Sequence, residues 1–587
     1  MARSPLLHSL IRELAKFRQA STLSQQTGIP LDEVLDMQRD PAVQLQWDRR
    51  KMMQLGLLLG AAPVLARCGG ATVAAVDDTA LADGGNGGDA AVNSDKTVVI
   101  VGAGMAGLHC AYRLQKDHGI AATIYEAQTR TGGRMFTDRE TFKDQDGMHC
   151  ELGGELIDTH QVTMQDLAKE LQLELLDYHN EVKGLDHLKA HFGGKLYGSA
   201  DLLADWKGVA AKIDEAASVI TDTDVYPTYK NHAGGEALDK LDLKSFLGTL
   251  GASDVLAKVL NMSYITEYGL ETEQQSALNF IYLVSTATDA IELFGVSDER
   301  FHTKTGNDAF IQKLVAALPA EKLKQEHVLK KVVKGSDGRY VATFDNKGTA
   351  VEVKADHLVL TIPFTMLRNV DLTGLALPEV KKKAINELGY GTNAKLMVGF
   401  DSRPWREAPN NAGGESFSDL GFQCTWETSR LQSATSKAGI ITNFTGGKHG
   451  ADDVGLGTPA ERASEFVDQY DKMYPGVKTA YNKKVARFHW PSHAWTKGSY
   501  QCYLPGQYTT IRGAEAERFE NIHFCGEHTS LPDAGFMEGA AATGADVAAD
   551  IAKDLGANSG GAQQAQLQRR MRKLQLAFAK RKRLVMA

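Results

Sequence analysis

The pattern with the clearest chemical meaning begins at Thr97, where the chain reads TVVIVGAGMAGLHCAYRLQKDHGIAATIYEA. A β-branched run, Val98 to Val101, predicts a buried parallel strand, and Gly102, Gly104 and Gly107 come after it at the spacing of a dinucleotide-binding turn. Gly102 permits the tight turn, Gly104 lets backbone approach a pyrophosphate, and Gly107 lets helix and strand pack closely. Met105 and Ala106 open the next helix, where free N–H groups and the helix dipole favour an anion. Ala106, Leu108, Ala111 and Leu114 are available for its buried face. A second strand, Ala122 to Tyr125, delivers Glu126, with Ala127 behind it, to a position where a carboxylate accepts from both ribose hydroxyls and repels a 2′-phosphate. The glycines alone do not separate NAD from FAD.

The residues after Glu126 make that separation. EAQTRTGGRMFT carries Arg130, Gly132, Gly133 and Arg134, and ELGGELID carries Gly153, Gly154 and Glu155. Far downstream come LKQEHVLKKV with Leu329, HLVLTIPFTML, and LGYGTNAKLMVGF with its single lysine, Lys395. HWPSHAWTKGSYQCYLPGQ then supplies Trp490 and Tyr500, and FCGEHTSLPDAGFMEGAAATG supplies Gly526, Glu527, Gly535, Phe536 and Met537. In this order the blocks resemble the flavin amine oxidase superfamily of monoamine and L-amino acid oxidases, over about 455 residues from Thr97 to Ile551.

The resemblance implies noncovalent FAD. Arg130, Gly132, Gly133 and Arg134 would lie along its pyrophosphate and ribityl chain, Gly153, Gly154 and Glu155 near the flavin ring, and Leu329 at the adenine. Gly526 and Glu527 would pass the phosphate and ribityl region, with Gly535 leading into a helix that starts near Phe536. That helix would aim N–H groups, including that of Met537, at the flavin edge that becomes negative on reduction. Tyr500 and Phe536 would flank the substrate nitrogen, with Trp490 in the segment beside the flavin face. Ser499 stands where mitochondrial monoamine oxidases carry their flavin-linking cysteine. Lys395 has two readings: an edge lysine whose stem snorkels, or, by resemblance, a lysine holding a water against flavin N5.

The implied reaction is oxidation of a primary amine or an L-amino acid to an imine, with O2 reduced to H2O2. A periplasmic dehydrogenase serving a cytochrome, and a polyamine oxidase, are the alternatives. Directly after the Gly-Gly block, where eukaryotic L-amino acid oxidases hold the substrate carboxylate with an arginine, the chain reads GELIDTHQ and has none. Glu155 and Asp158 either attract a cationic substrate or cap the next helix, and Arg300 or Arg430 is available for a carboxylate.

The elements that must position these residues are those of an α/β protein. A Rossmann-like FAD-binding domain in three pieces (96–160, 321–370, 501–556) is expected to enclose a mixed α+β substrate domain (161–320, largely helical, and 371–500). At 587 residues and 43% hydrophobic composition the chain is long enough for both. A net charge of −8 argues against a nucleic-acid partner. Six cysteines without CxxC spacing suggest neither a zinc site nor a disulfide framework.

Residues 1–68 read as an extension ending in an export signal: Arg49 and Arg50, an apolar stretch from Met52 to Ala66, then small residues. That stretch is shorter than the roughly 20 residues of a membrane-spanning helix. It resembles a bacterial twin-arginine signal, which implies a periplasmic or secreted protein. Residues 69–95, rich in Gly, Ala and Asp, read as a linker. The tail, 557–587, holds eight Lys or Arg after Gly560 and no acid, with Leu567, Met571, Leu574 and Phe578 at helical spacing. A basic amphipathic helix on an anionic membrane, or a mobile solvated tail, fits it equally. A homodimer is compatible with all of this.

Overall fold

The computed structural model describes residues 96–557, apart from 182–183, 221–225 and 296. The export signal, the linker up to residue 95 and the basic tail beyond 557 lie outside the described residues.

Val98–Val101 is buried at all four positions because it is a central strand of a parallel sheet, with a neighbour on each side and packing on both faces. The five-stranded order is Ile522–Phe524, His357–Leu360, Val98–Val101, Ala122–Tyr125, Leu323–Lys324. Five segments spread over the chain thus converge on one sheet, as a discontinuous nucleotide-binding domain requires. The helix Met105–His118 comes after the first strand and ends at Gly119, whose φ of 68° lets its N–H reach the carbonyls of Gln115 and Leu114. Across it runs Met537–Asp554, the last helix among the described residues. A Cβ on Gly544 would sit 2.4 Å from the Ala106 carbonyl oxygen, so only glycine permits that approach.

A four-stranded sheet (Thr349–Ala355, Tyr340–Asn346, Val328–Lys334, Asp371–Gly374) stands beside the nucleotide domain. The substrate part is built on a seven-stranded mixed sheet, ordered Tyr481–His489, Ala394–Phe400, Gly439–Thr445, Cys424–Glu427, Ala412–Ser418, Asp186–Phe192, Lys195–Gly198. The region 161–320, expected to be largely helical, contributes two of these strands, where Lys189 pairs with Gly198. Its flanking helices turn back to the nucleotide domain. Glu538 of the last helix accepts the N–H groups of Thr163 and Met164 at 3.1 and 2.8 Å, at the start of Val162–Glu170. Among the described residues no helix is long and apolar enough to cross a membrane.

Candidate active site

Two glycine loops meet at the start of the helix Met105–His118. Gly132 donates its N–H to the Ala103 carbonyl at 2.8 Å, and Gly104 and Gly132 form a parallel bridge. Glu126 holds the turn from beneath, accepting from the N–H of Ala103 at 2.7 Å and of Gln128 at 2.9 Å. Burial raises its carboxyl pKa and these N–H groups oppose the rise. Gly107 is sterically required, since a Cβ there would lie 2.1 Å from the Gly102 carbonyl oxygen. Gly104 is different: a Cβ would meet no atom within 4 Å. That space, over an N-terminus no side chain caps, fits the pyrophosphate of FAD.

Near Ala127 lies a cavity of about 410 Å³, lined also by Gln128, Val328, Asp345 and Trp495. The Leu329 side chain points into the core, 6% exposed, which leaves its backbone for the contact expected with adenine, and Val328 on the same strand faces the cavity. Val328 and Trp495 lie within the family-like blocks, yet nothing in their local sequence marks them as lining residues.

Arg130 donates to the Gly133 carbonyl at 2.7 Å and lies 4.2 Å over the Phe136 ring. Arg134 joins segments far apart in the chain, donating to the Ser499 carbonyl and to Glu527, both at 2.7 Å. The other oxygen of Glu527 accepts the Gly535 N–H at 2.9 Å, which fixes the turn into Phe536. Phe536 is the N-cap of the last helix, and no side chain caps that helix's first turn, so Met537 begins an N-terminus open to an anion. Gly526, at φ 140°, is tied to this helix through Thr543. Tyr500 donates its hydroxyl to the Glu267 carbonyl, and its ring lies 3.5 Å from where a Cβ on Gly535 would sit. Tyr500 and Phe536 are thereby drawn to one place.

Gly153 and Gly154 thread a narrow gap. A Cβ on Gly153 would strike the Arg134 carbonyl at 1.9 Å, and one on Gly154 the Met537 side chain at 2.9 Å. Trp490 closes the gap from behind, donating to the Leu152 carbonyl at 2.9 Å.

Lys395 is no edge lysine. Its strand, Ala394–Phe400, is buried throughout and paired on both sides. Nor is it free to hold a water: its ammonium donates to Glu155 at 2.8 Å, to the Gly153 carbonyl at 2.8 Å and to the Glu151 carbonyl at 3.3 Å, which uses all three protons. Glu155 also accepts from Thr428 at 2.6 Å and Trp426 at 3.0 Å. Burial pushes its carboxyl upward, but Lys395, then His302 and the hydrogen bonds, outweigh that and hold it below the usual range.

Neither acid after the Gly-Gly block is left for a substrate, and neither caps the next helix. Asp158 accepts from the Glu299 N–H at 2.8 Å, Gln161 at 2.8 Å and Ser297 at 3.1 Å, and the N-cap, Gln161, makes no side-chain capping bond. Arg300 is committed to Asp177 through two bonds, at 2.9 and 2.7 Å.

The chain belongs to the family of flavin containing amine oxidoreductases, whose model matches residues 105–552. It is therefore an FAD-dependent oxidoreductase acting on C–N bonds. It is 25% identical over 485 residues to an L-amino-acid oxidase of Siganus canaliculatus, covering 80% of this chain and 88% of the relative. It is 22% identical over 466 residues to flavin-containing amine oxidase B of Homo sapiens, covering 78% and 86%. Its fold is that of the cyclohexylamine oxidase from Brevibacterium oxydans IH-35A (TM-score 0.66, 20% identity, 79% of this chain and 100% of the other).

Proposed function

We propose that the protein oxidises a primary amine or an L-amino acid to its imine, which water then cleaves to ammonia and an aldehyde or oxo acid, with O2 as the acceptor reduced to H2O2. The observation that carries this reading is the convergence of Tyr500, Phe536 and the uncapped helix N-terminus at Met537 beside the buried Lys395–Glu155 pair. When bound, FAD supplies the two-electron chemistry, taking a hydride equivalent from the carbon that bears nitrogen.

The residues of the chain do the positioning. Tyr500 and Phe536 align a neutral amine, and the helix N-terminus favours the negative charge that accumulates opposite it. A neutral amine needs no side-chain base for this step, because its nitrogen lone pair forms the C=N bond as the hydride leaves the α-carbon. The names of the relatives, L-amino-acid oxidase and amine oxidase, support both substrate classes.

Peroxide release from a panel of amines and amino acids under air tests substrate and acceptor together. Flavin that bleaches anaerobically but recovers only with a cytochrome would make the protein a dehydrogenase. We also propose export by the Arg49-Arg50 segment, which cell fractionation and N-terminal sequencing of the mature protein would test.

A further inference from the structure

The substrate part encloses an arginine and three glutamates that form no ion pair with one another. Arg430 is only 8% exposed and lies 4.4 Å over the Tyr178 ring. Its Nε donates to the Glu427 carbonyl at 3.2 Å, yet its two terminal NH2 groups have no hydrogen-bond partner among the described residues. Tyr178 donates its own N–H to the Arg300 carbonyl at 2.8 Å, which brings the guanidinium beside the turn that carries Glu299.

Three carboxylates from separate elements share this interior: Glu267 near the end of the helix Asp254–Tyr268, Glu299 before the strand Phe301–Thr303, and Glu415 in the strand Ala412–Ser418. None of their carboxylates makes a hydrogen bond or ion pair among the described residues. Each keeps part of its surface accessible. They feel one another: burial first, then neighbouring carboxylates, push Glu267 up to about 8 and Glu299 up to about 7, and raise Glu415 as well, against the pull of Arg430 on the last two. The group is tied to Tyr500, whose hydroxyl the Glu267 carbonyl accepts.

Buried opposite charges ordinarily pair, because leaving either alone is expensive. Arg430, with its terminal N–H groups unmatched, and three glutamates that burial keeps largely protonated until a cation approaches, fit a ligand carrying both complements. A neutral amino acid would leave the glutamates unmatched, and a diamine would set a cation before Arg430 and leave its N–H groups empty.

We propose that the substrate is a basic L-amino acid, its carboxylate bound by Arg430 and its distal ammonium by Glu267, Glu299 and Glu415. This rests on the amine or amino-acid reading above and narrows it. The α-nitrogen is then the one left between Tyr500 and Phe536.

The test is steady-state oxidation by the FAD-loaded enzyme of L-lysine, L-ornithine and L-arginine against L-norleucine, which lacks the distal charge, and cadaverine, which lacks the carboxylate. The expected kcat/KM for at least one basic amino acid exceeds both controls by roughly 100-fold or more, as a site built on charged hydrogen bonds discriminates. Glu299→Gln and Glu267→Gln should each lower the preference for the basic amino acid over norleucine about 10-fold or more, mainly through KM, while Arg430→Met should lower its preference over cadaverine. Norleucine or cadaverine matching the basic amino acids, or preferences that survive these substitutions, overturns the inference and leaves the amine-oxidation reading intact. If no member of this panel and no neutral or aromatic amine reduces the flavin, the broader reading falls instead.

Discussion

The ammonium of Lys395 and the carboxylate of Glu155 lie 2.8 Å apart, with side chains 6% and 3% exposed, in contact with the Gly153 segment expected beside the flavin. A pair so enclosed orders that segment, and each charge is tolerable only because the other is present.

Lys395→Met should therefore destabilise the protein by about 3–5 kcal/mol, because it leaves Glu155 charged and buried. The double variant Lys395→Met with Glu155→Gln should regain more than half of that, since no lone charge remains. Thermal denaturation of the two variants checks this, and additive losses would show the pair to be energetically independent.

Gly104 and Gly107 should separate cofactor binding from folding. Gly104→Val has open space within the protein, so the apoprotein should keep its circular dichroism and melting temperature while FAD affinity falls roughly 10-fold or more, about 1.4 kcal/mol. Gly107→Ala drives a methyl group into the Gly102 carbonyl and should lower stability by at least ~1–3 kcal/mol with or without FAD. Equal behaviour of the two variants would contradict the assignment of the space above Gly104 to the pyrophosphate.

Trp490→Phe preserves most of the ring but removes the N–H that the Leu152 carbonyl accepts. Leaving that carbonyl buried and unpaired should lower stability by about 1–3 kcal/mol. Because Gly153 comes directly after Leu152, flavin fluorescence quenching should change too. Unaltered stability and fluorescence would remove Trp490 from the positioning of the Gly-Gly block.

Glu267 and Glu299 determine a pH window for the ligand-free protein. Their carboxyls are raised by burial and then by acidic neighbours, to about 8 and about 7 from an ordinary value of 4.5, so between those limits the folded state binds more protons than the unfolded chain. Their contribution to stability is complete below about pH 4.5 and is lost as pH rises towards 8. The melting temperature of Glu267→Gln should therefore depend less on pH than that of the wild type between about pH 5 and 8, on the order of a few degrees. Parallel profiles would show that Glu267 titrates normally.

The nucleotide-binding half was legible in the sequence because its signals are local. A β-branched strand, a glycine turn, a helix and a terminal acid occupy consecutive residues from Val98 to Glu126, and each glycine reports a steric or ligand demand of its own neighbourhood. The later blocks could be ordered along FAD by resemblance, down to Tyr500 and Phe536.

Pairing between distant charges was not legible. Glu155 reads as a substrate-attracting or capping acid until Lys395 arrives from a strand of the seven-stranded sheet, and Arg430 differs from Arg300 only because Asp177 lies within reach of one and not the other. Glu267, Glu299 and Glu415 belong to no motif at all. A carboxylate's role depends on what surrounds it, since burial and neighbouring charge decide whether it is paired, neutral or waiting for a cation, and the surroundings exist only after the chain has closed on itself.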